Sequence, residues 1–252
     1  MQMDKLSASV EEACLNAWPA LKEIFYDGWL IRVGRGETRR TNSVNVLGRG
    51  RYEMGAKIAY CDAVYRAHGL PTYFRIRSTD DPALERELAA GGFRAEDETR
   101  TLFMDFARTP PMPVAGVAIE IAEGAPAAEW LEAHARFTGR APDTDDLRRR
   151  LLELVALPVA FAAARDEAGE IVSVAYGALH DRLVSLQWVA TAPARRRQGL
   201  SFATLSALLH WARQQGAAGA CLQVLAENFA AIRLYEDLGF DRELYRYHYR
   251  VR

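Results

Sequence analysis

The stretch from Val189 to Arg213 constrains the fold most strongly, because the end of a strand there leads into a helix through a short basic loop. Apolar residues alternate with other residues before the loop, at Val184, Leu186, Trp188 and Ala190. After the loop they recur with the period of one helix face, at Phe202, Leu205, Leu209 and Ala212. The first backbone N–H groups of a helix have no partner within it, and the helix dipole adds positive charge there. This arrangement predicts an anion site, the alternative being a basic turn that binds no ligand.

The loop sequence, Arg196-Arg197-Gln198-Gly199-Leu200-Ser201, narrows the kind of anion. It contains neither the GxGxxG of dinucleotide-binding folds nor the GKS or GKT of nucleoside-triphosphate loops. It is similar to R-x-x-G-x-G/A, the pyrophosphate loop of the GNAT superfamily of acyl-CoA-dependent N-acetyltransferases. Ser201 departs from that pattern, since Gly or Ala is usual at its position.

A second GNAT pattern, N-x-x-A-x-x-x-Y-x-x-x-G-F, follows in the expected order. Its positions are filled by Asn228, Ala231, Tyr235, Gly239 and Phe240. In the family the Asn contacts the cofactor and the Tyr is the general acid, so the resemblance implies these roles for Asn228 and Tyr235. A phenol with a pKa near 10 is well matched to protonating a thiolate whose pKa is near 8.5. The alternative for Tyr235 is an aromatic residue of the core.

The resemblance also implies acetyl-CoA as cosubstrate, without a metal. Backbone groups at the end of the strand before the loop would pair with the pantetheine arm, and one N–H near Val189 would polarise the thioester carbonyl. The predicted cofactor-binding residues are Val189, Ala190, Thr191, Arg196, Arg197, Gln198, Gly199, Leu200, Ser201, Phe202 and Asn228. No residue is assigned as general base, since a water chain to solvent, or a substrate amine of low pKa, fits better than any side chain near the predicted site. His134 either lines the acceptor site or is a partly buried structural histidine.

The element order predicts an α/β (α+β) fold made of tandem GNAT folds, each a mixed, mostly antiparallel sheet flanked by helices. The segment from Asp81 to Phe93 has the same sequence pattern as the segment from Asn228 to Phe240, which suggests two similar halves. One α/β domain without a repeat is the alternative. Leu88 stands where the second half has Tyr235, so we expect a catalytically silent first half. The predicted divisions are a degenerate GNAT-like domain (1–108), a proline-rich linker (109–116) and a catalytic GNAT domain (117–252).

Within the first half the sequence predicts a helix, two strands, a helix, a strand, a helix and a strand. Ser9 and Glu12 have the spacing of a capping box at the start of the first helix. Residues 28–57 are rich in basic side chains, namely Arg32, Arg35, Arg39, Arg40, Arg49, Arg51 and Lys57, against only Glu37 and Glu53. A solvated basic face is one interpretation. The other is that Arg39 and Arg40 help to bind an anionic acceptor.

Composition restricts the compartment and the partners. The formal net charge of −1 gives no reason to expect nucleic-acid binding. Three widely spaced cysteines argue for a reducing compartment and against a disulfide framework. The sequence contains no signal segment or bilayer-length apolar run, so we expect a cytoplasmic protein without membrane contact. It would be a monomer or a homodimer.

The predicted function is direct transfer of acetyl from acetyl-CoA to a primary amine of a small molecule or a peptide. Cys221 is expected in the core, and no cysteine lies in the motif region to carry the acetyl group. A protein of another class, an acyl-CoA-binding sensor without turnover, is the alternative.

Overall fold

The structure is a computed structural model that describes residues 4–34, 38–112, 114, 116–140 and 145–252. The elements in chain order are α1 (Lys5–Asn16), β1 (Lys22–Tyr26), β2 (Trp29–Val33), β3 (Val44–Val46), α2 (Met54–Ala67), β4 (Tyr73–Arg77), α3 (Pro82–Ala90), β5 (Arg94–Asp105), β6 (Ile119–Glu123), α4 (Ala128–Thr138), α5 (Asp145–Glu153), β7 (Val159–Arg165), β8 (Ile171–His180), β9 (Leu183–Thr191), α6 (Leu200–Gln214), β10 (Gly219–Leu225), α7 (Phe229–Leu238) and β11 (Arg242–Val251).

The strands of the described residues form one sheet in the order β1-β2-β3-β4-β11-β5-β10-β9-β8-β7-β6. The two halves exchange their last strands in this sheet. Strand β11, from the second half, lies beside β4, and β5, from the first half, lies beside β10. The two exchanged strands pair with each other at the centre. Apart from the parallel pairs β3–β4 and β9–β10, neighbouring strands are antiparallel.

The strand register follows the internal repeat. Arg75 pairs with Tyr249, and Leu222 pairs with Leu102. Each residue of one pair is 147 positions from its counterpart in the other (222 minus 75, and 249 minus 102). The two exchanged pairings are therefore images of each other, which supports the interpretation of the chain as two similar halves.

The exchange also joins the cores. Leu102, Met104 and Phe106, at the end of β5, are buried in the main core of the second half against α6 and α7. At the junction, the buried carboxylate of Glu11 on α1 pairs with Arg75 on β4 and accepts a hydrogen bond from the Tyr245 hydroxyl on β11. Burial opposes ionisation of Glu11, but the Arg75 charge outweighs it and lowers the pKa of Glu11 to about 2. A cut in the linker would thus divide the chain without dividing the sheet.

Two local predictions were wrong. Helix α1 begins at Lys5, capped by the Asp4 side chain, which accepts the Ser7 N–H, so Ser9 and Glu12 lie inside the helix and form no capping box. The first half also has a strand before those predicted, β1. This strand is at the sheet edge, and its Phe25 is 71% exposed, so it lacks a buried alternating face.

The remaining predicted helices and strands are present, and their ends differ from the expected ones by at most a few residues. The GNAT-like order of the second half is confirmed. Pro113 and Ala115 of the predicted linker lie outside the described residues. The division into domains 1–108 and 117–252 stays a prediction. Within the described ranges, no helix has both the length and the apolar character needed to cross a membrane.

Candidate active site

Strands β9 and β10 open a gap in the sheet. They pair in parallel only from Leu183 to Ser185, opposite Gly219 to Cys221, and then diverge. The rest of β9, up to Thr191, has no strand partner on that side among the described residues. Peptide N–H and C=O groups that face a gap can pair with an extended ligand as another strand would. The predicted pantetheine-binding residues Val189, Ala190 and Thr191 lie along this free edge.

A β-bulge in β9 shapes the edge. On β8, Val174 pairs with Ala190 and Tyr176 pairs with Gln187, so two residues, Trp188 and Val189, face one. Trp188 has a φ of 50°, which is rare for an aromatic residue. Bulges are common beside active sites because they turn backbone groups out of the ladder. Here the bulge falls at the backbone predicted to polarise the thioester carbonyl.

The loop before α6 presents unpaired backbone groups. Gly199 is the N-terminal cap of the helix with a φ of 76°, a value that favours glycine. The N–H groups of Gly199, Leu200 and Ser201 have no hydrogen-bond acceptor among the residues described. Arg196 and Arg197 are exposed and make no ion pair with any described residue. Free amides, a helix N-terminus and two unpaired arginines are features that suit a phosphate-bearing ligand, and the pyrophosphate site stays a prediction.

The serine that departs from the GNAT pattern has a structural partner. The Ser201 hydroxyl lies 2.6 Å from the Thr191 hydroxyl, which lies 2.9 Å from the hydroxyl of Ser173. This chain of hydroxyls connects β8, the end of β9 and the first turn of α6. Ser201 therefore fastens the loop to the strand, which Gly or Ala could not do.

The predicted residues meet in a cleft of about 890 Å³, the loop cleft. Its wall contains Val189, Ala190, Thr191, Arg196, Arg197, Gly199, Leu200, Ser201, Phe202, Asn228 and Tyr235. Gln198 is the one predicted residue outside the wall, and its side chain accepts a hydrogen bond from Arg195 instead. Arg195, which was not predicted, is in the wall and pairs with Asp166.

Asn228 caps α7 as well as lining the loop cleft. Its side-chain oxygen accepts the Ala231 N–H at 3.2 Å, as an N-terminal cap does. The side-chain NH₂ group remains available to donate to a ligand. Capping alone is enough to favour an Asn here, so the contact with a cofactor stays a prediction.

Tyr235 lies between two clefts. It belongs to the wall of the loop cleft and also to that of a second one, the junction cleft, of about 560 Å³. Thr138 and Val189 are shared in the same way. Burial raises the pKa of Tyr235 to about 12, with the positive charge of Arg40 opposing the rise. The phenol is therefore protonated at neutral pH and can donate a hydrogen bond or a proton.

The junction cleft is built by both halves of the chain. Among its other lining residues are Trp18, Arg39, Arg40, Asp97 and Thr99 from the first half, and His134, Arg140, Arg148, Gln187, Trp188, Gln223, Tyr247 and Tyr249 from the second. Apart from the basic pair and His134, none of these residues was predicted to line a site. Each belongs to an ordinary strand, helix or turn pattern, and only the strand exchange brings them together.

His134 is a buried histidine that also faces the junction cleft. Its ring stacks on Trp188, with ring centroids 4.7 Å apart, and its Nδ1 lies 3.3 Å from Arg148. Burial, then the Arg148 and Arg140 charges, lower the pKa of His134 to about 3. It is neutral at physiological pH, and its low affinity for a proton makes it a poor general base.

The basic stretch 28–57 is mostly paired. Lys57 is buried against the carboxylate of Asp27, which also pairs with Arg51, and Arg32 pairs with Glu23. Asp27 and Glu23 precede the window in which the charges were counted. Arg39 pairs with Glu96 and Asp97. Arg35 and Glu37 lie outside the described residues.

Comparison with known proteins gives the family. The family described as "Probable histone acetyltransferase Rv0428c C-terminal" matches residues 8–250. The uncharacterized N-acetyltransferase YobR of Bacillus subtilis (strain 168) is 24% identical over 250 residues, which is 96% of this chain and 97% of that protein.

Two solved structures are similar in fold. A GCN5-related N-acetyltransferase from Kribbella flavida has a TM-score of 0.71 at 18% identity, over 96% of this chain and 94% of its own. A tandem GNAT protein from the clavulanic acid biosynthesis pathway has a TM-score of 0.68 at 14% identity, over 83% of this chain and 74% of its own. Together these similarities confirm the predicted GNAT relationship and the tandem fold.

Proposed function

The chain belongs to the family described as probable histone acetyltransferase Rv0428c C-terminal and is a GNAT-type N-acetyltransferase, and from this premise we propose that it transfers acetyl from acetyl-CoA directly to a primary amine. The second half carries the reaction, and the first half completes the acceptor side. The observation that supports this most directly is the position of Tyr235 between the loop cleft and the junction cleft. A group there can reach both a thioester in one cleft and an amine in the other.

The residues of the loop cleft fit acetyl-CoA. Free amides at Gly199 to Ser201 and the charges of Arg196 and Arg197 suit a pyrophosphate, and the free edge of β9 suits the pantetheine arm. Asn228 has an NH₂ group left to donate. When bound, acetyl-CoA supplies the acetyl group as a thioester. The N–H of Val189, which lies at the bulge, donates to the carbonyl oxygen as negative charge develops there.

Tyr235 donates its phenolic proton to the departing sulfur. In the balanced reaction a bond forms between the amine nitrogen and the carbonyl carbon, the carbon–sulfur bond breaks, the amine loses a proton and the thiolate gains one. Because the pKa of Tyr235 is about 12, its proton is present throughout the range in which the amine becomes neutral. Deprotonation of the amine is left to water in the open cleft, since His134 is too weak a base.

The test is Tyr235→Phe, measured by release of free thiol from acetyl-CoA over a panel of amines. We expect kcat to fall by about 10²-fold to 10⁴-fold, the usual contribution of a general acid, with nearly unchanged acetyl-CoA affinity. Tyr60→Phe, a change at a half-exposed position of α2, is the control. The wild-type kcat should not fall between pH 7 and 10, because the Tyr235 phenol keeps its proton over this range. Full activity of Tyr235→Phe at neutral pH would refute the proposal that Tyr235 is the general acid.

An acyl-CoA-binding sensor would behave differently. It would be stabilised by acetyl-CoA in a thermal shift yet release no thiol with any amine, polyamine, amino acid, aminoglycoside or peptide. Tyr235 argues against it, because a protein that only binds acyl-CoA has no need of a proton donor beside the thioester. We further expect a cytoplasmic enzyme that is a monomer or a homodimer and binds no nucleic acid.

A further inference from the structure

The junction cleft contains an arginine whose charge is not balanced by an acid. Arg40 follows Arg39 in a short turn of the first half, and both line the cleft. Arg39 is neutralised by Glu96 and Asp97. Arg40 instead donates to neutral groups, Nη1 to the Gln187 side chain at 3.1 Å and Nη2 to the Gln223 carbonyl at 3.3 Å. Its guanidinium also donates to the Tyr247 phenol, whose pKa, despite burial, its charge lowers. It makes no ion pair with any residue that the structure describes.

The position of Arg40 is as informative as its charge. Gln187 is on β9, two residues before Val189, and Gln223 is on β10, so Arg40 lies where these strands diverge beneath the active site. Its charge reaches the proposed acid, since it opposes the rise that burial gives to the pKa of Tyr235. A guanidinium has five N–H donors in a planar fork, so donors remain for a ligand beyond the hydrogen bonds to Gln187, Gln223 and Tyr247.

A cation held away from bulk water is costly unless an anion pairs with it. Asp97 is the one acid in the described wall of the cleft, and it already pairs with Arg39. The described wall therefore holds no acid for Arg40, and an anionic group of a ligand can pair with it. A cleft of about 560 Å³ has room for a small molecule or the end of a peptide.

We propose that the acceptor is an amine that also carries a carboxylate, and that Arg40 binds this carboxylate while the amine faces Val189 and Tyr235. This inference rests on the proposed acetyltransferase function and gives its acceptor a chemical class. It also assigns a task to the first half, which supplies the specificity of a reaction carried out by the second half. A lysine-rich peptide would bring further positive charge to Arg40 and should be a poor acceptor.

The first measurement uses the wild-type chain. Thiol release is followed with β-alanine, γ-aminobutyrate, α-amino acids and dipeptides, each beside its carboxamide, and with phosphoethanolamine and a lysine-rich peptide. We expect kcat/KM to favour the best acid over its amide by about 10-fold to 100-fold, the effect of a hydrogen bond between charged groups. The charge of a carboxylate raises the pKa of a nearby amine, so amine basicity alone would favour the amide at neutral pH. A preference for the acid must then come from binding.

The second measurement uses Arg40→Gln. It should lower kcat/KM for the preferred acid by about 10-fold to 100-fold and change that for its amide by less than about threefold. Arg40→Lys, which keeps the charge, should recover part of the loss. An equal loss on acid and amide would mean that Arg40 only holds β9 and β10 together, and would overturn the proposal. If Arg40→Gln does not fold, as judged by acetyl-CoA binding, the wild-type ratio and Arg40→Lys decide.

Other outcomes separate the two proposals. Equal use of acids and amides by the wild type, or preference for the lysine-rich peptide, would refute carboxylate recognition and leave acetyl transfer intact. Preference for phosphoethanolamine would replace the carboxylate by a phosphate and overturn the assignment made here. Absence of thiol release with every amine would refute acetyl transfer itself.

Discussion

The loops that lead into α2 and α6 occupy corresponding places in the two halves, but their backbone N–H groups have different partners. In the first half the Asp27 carboxylate accepts the N–H groups of Arg51 and Tyr52, at 2.8 and 2.9 Å, and lies 3.3 Å from the Nζ of buried Lys57. In the second half, Gly199 and the residues after it have no such acceptor in the described structure.

The same strand-loop-helix arrangement is therefore closed in the first half and open in the second. The loop before α2 already contains an anion, Asp27, of its own chain. The loop before α6 is left for an anion from outside, which we take to be the pyrophosphate of acetyl-CoA. The position of the proposed acid differs between the halves in the same way. Leu88 is fully buried in the core of the first half, whereas its counterpart Tyr235 lines two clefts. We infer that the first half has become structural in its interior and acts through its surface at the junction cleft.

Gly50→Ala tests the closed loop of the first half and should have the largest effect. Gly50 has a φ of 73°, and an added Cβ would clash with the Asp27 oxygens and lie 2.5 Å from the Lys57 Nζ. We expect a loss of about 2–5 kcal/mol of unfolding free energy from overpacking and backbone strain, measured by urea unfolding. Acetyl-CoA affinity of the folded fraction should be unchanged.

Gly199→Ala is the matched control. Its φ is 76°, yet apart from its two chain neighbours no atom of the described residues lies within 4 Å of the added Cβ, so only backbone strain remains. We expect a loss of about 1 kcal/mol in stability, together with weaker acetyl-CoA binding because the loop changes shape. Equal stability losses in the two variants would show that the first loop is not closed as described.

Asp27→Asn, followed as a function of pH, tests whether the Asp27 carboxylate holds the same loop. Hydrogen bonds, first that from the Tyr52 N–H, lower the pKa of Asp27 to about 2 in the folded protein. Because the folded pKa lies below the unfolded value near 4, its stabilising effect is present above pH 4 and is lost as the pH falls towards 2. The melting temperature of Asp27→Asn should therefore be lower than that of the wild type at pH 7, and the gap should shrink below pH 4.

Glu98→Gln serves as the control for this titration. Glu98 pairs with Arg246 at the surface, where its side chain is 52% exposed, and such pairs contribute little. Its melting temperature should follow that of the wild type across the same pH range. A gap for Asp27→Asn that does not change with pH would mean that the carboxylate charge is not what holds the loop.

Much of this arrangement was readable in the sequence because its signals are local. The pattern from Asn228 to Phe240 and the loop at Gly199 fixed the order of strand, loop and helix, and the 147-residue offset pointed to two halves. The strand exchange could not be read, because alternation along β5 or β11 gives a buried face without naming the neighbouring strand. Asp27 escaped notice for the same reason, since its loop partners come 24 and 25 positions later.

The junction cleft is the part of the site that was least predictable from the sequence. Arg39 and Arg40 are adjacent and chemically identical, so the sequence treats them as one basic pair. In the fold one pairs with Glu96 and Asp97, and the other turns to neutral oxygens of β9 and β10. Which of two neighbouring arginines remains available is decided by contacts across the sheet.

The smallest expected effect is that of Ser201→Ala, which restores the usual GNAT residue. The variant breaks the hydroxyl chain from Ser173 through Thr191 to the first turn of α6. Loss of one such hydrogen bond should lower the unfolding free energy by about 0.5–1.5 kcal/mol. The loop amides and the position of Gly199 are not altered by the change, so acetyl-CoA affinity should stay within about threefold of the wild type. A much larger loss of affinity would mean that the serine hydroxyl itself binds the cofactor, and that the open loop depends on more than its backbone.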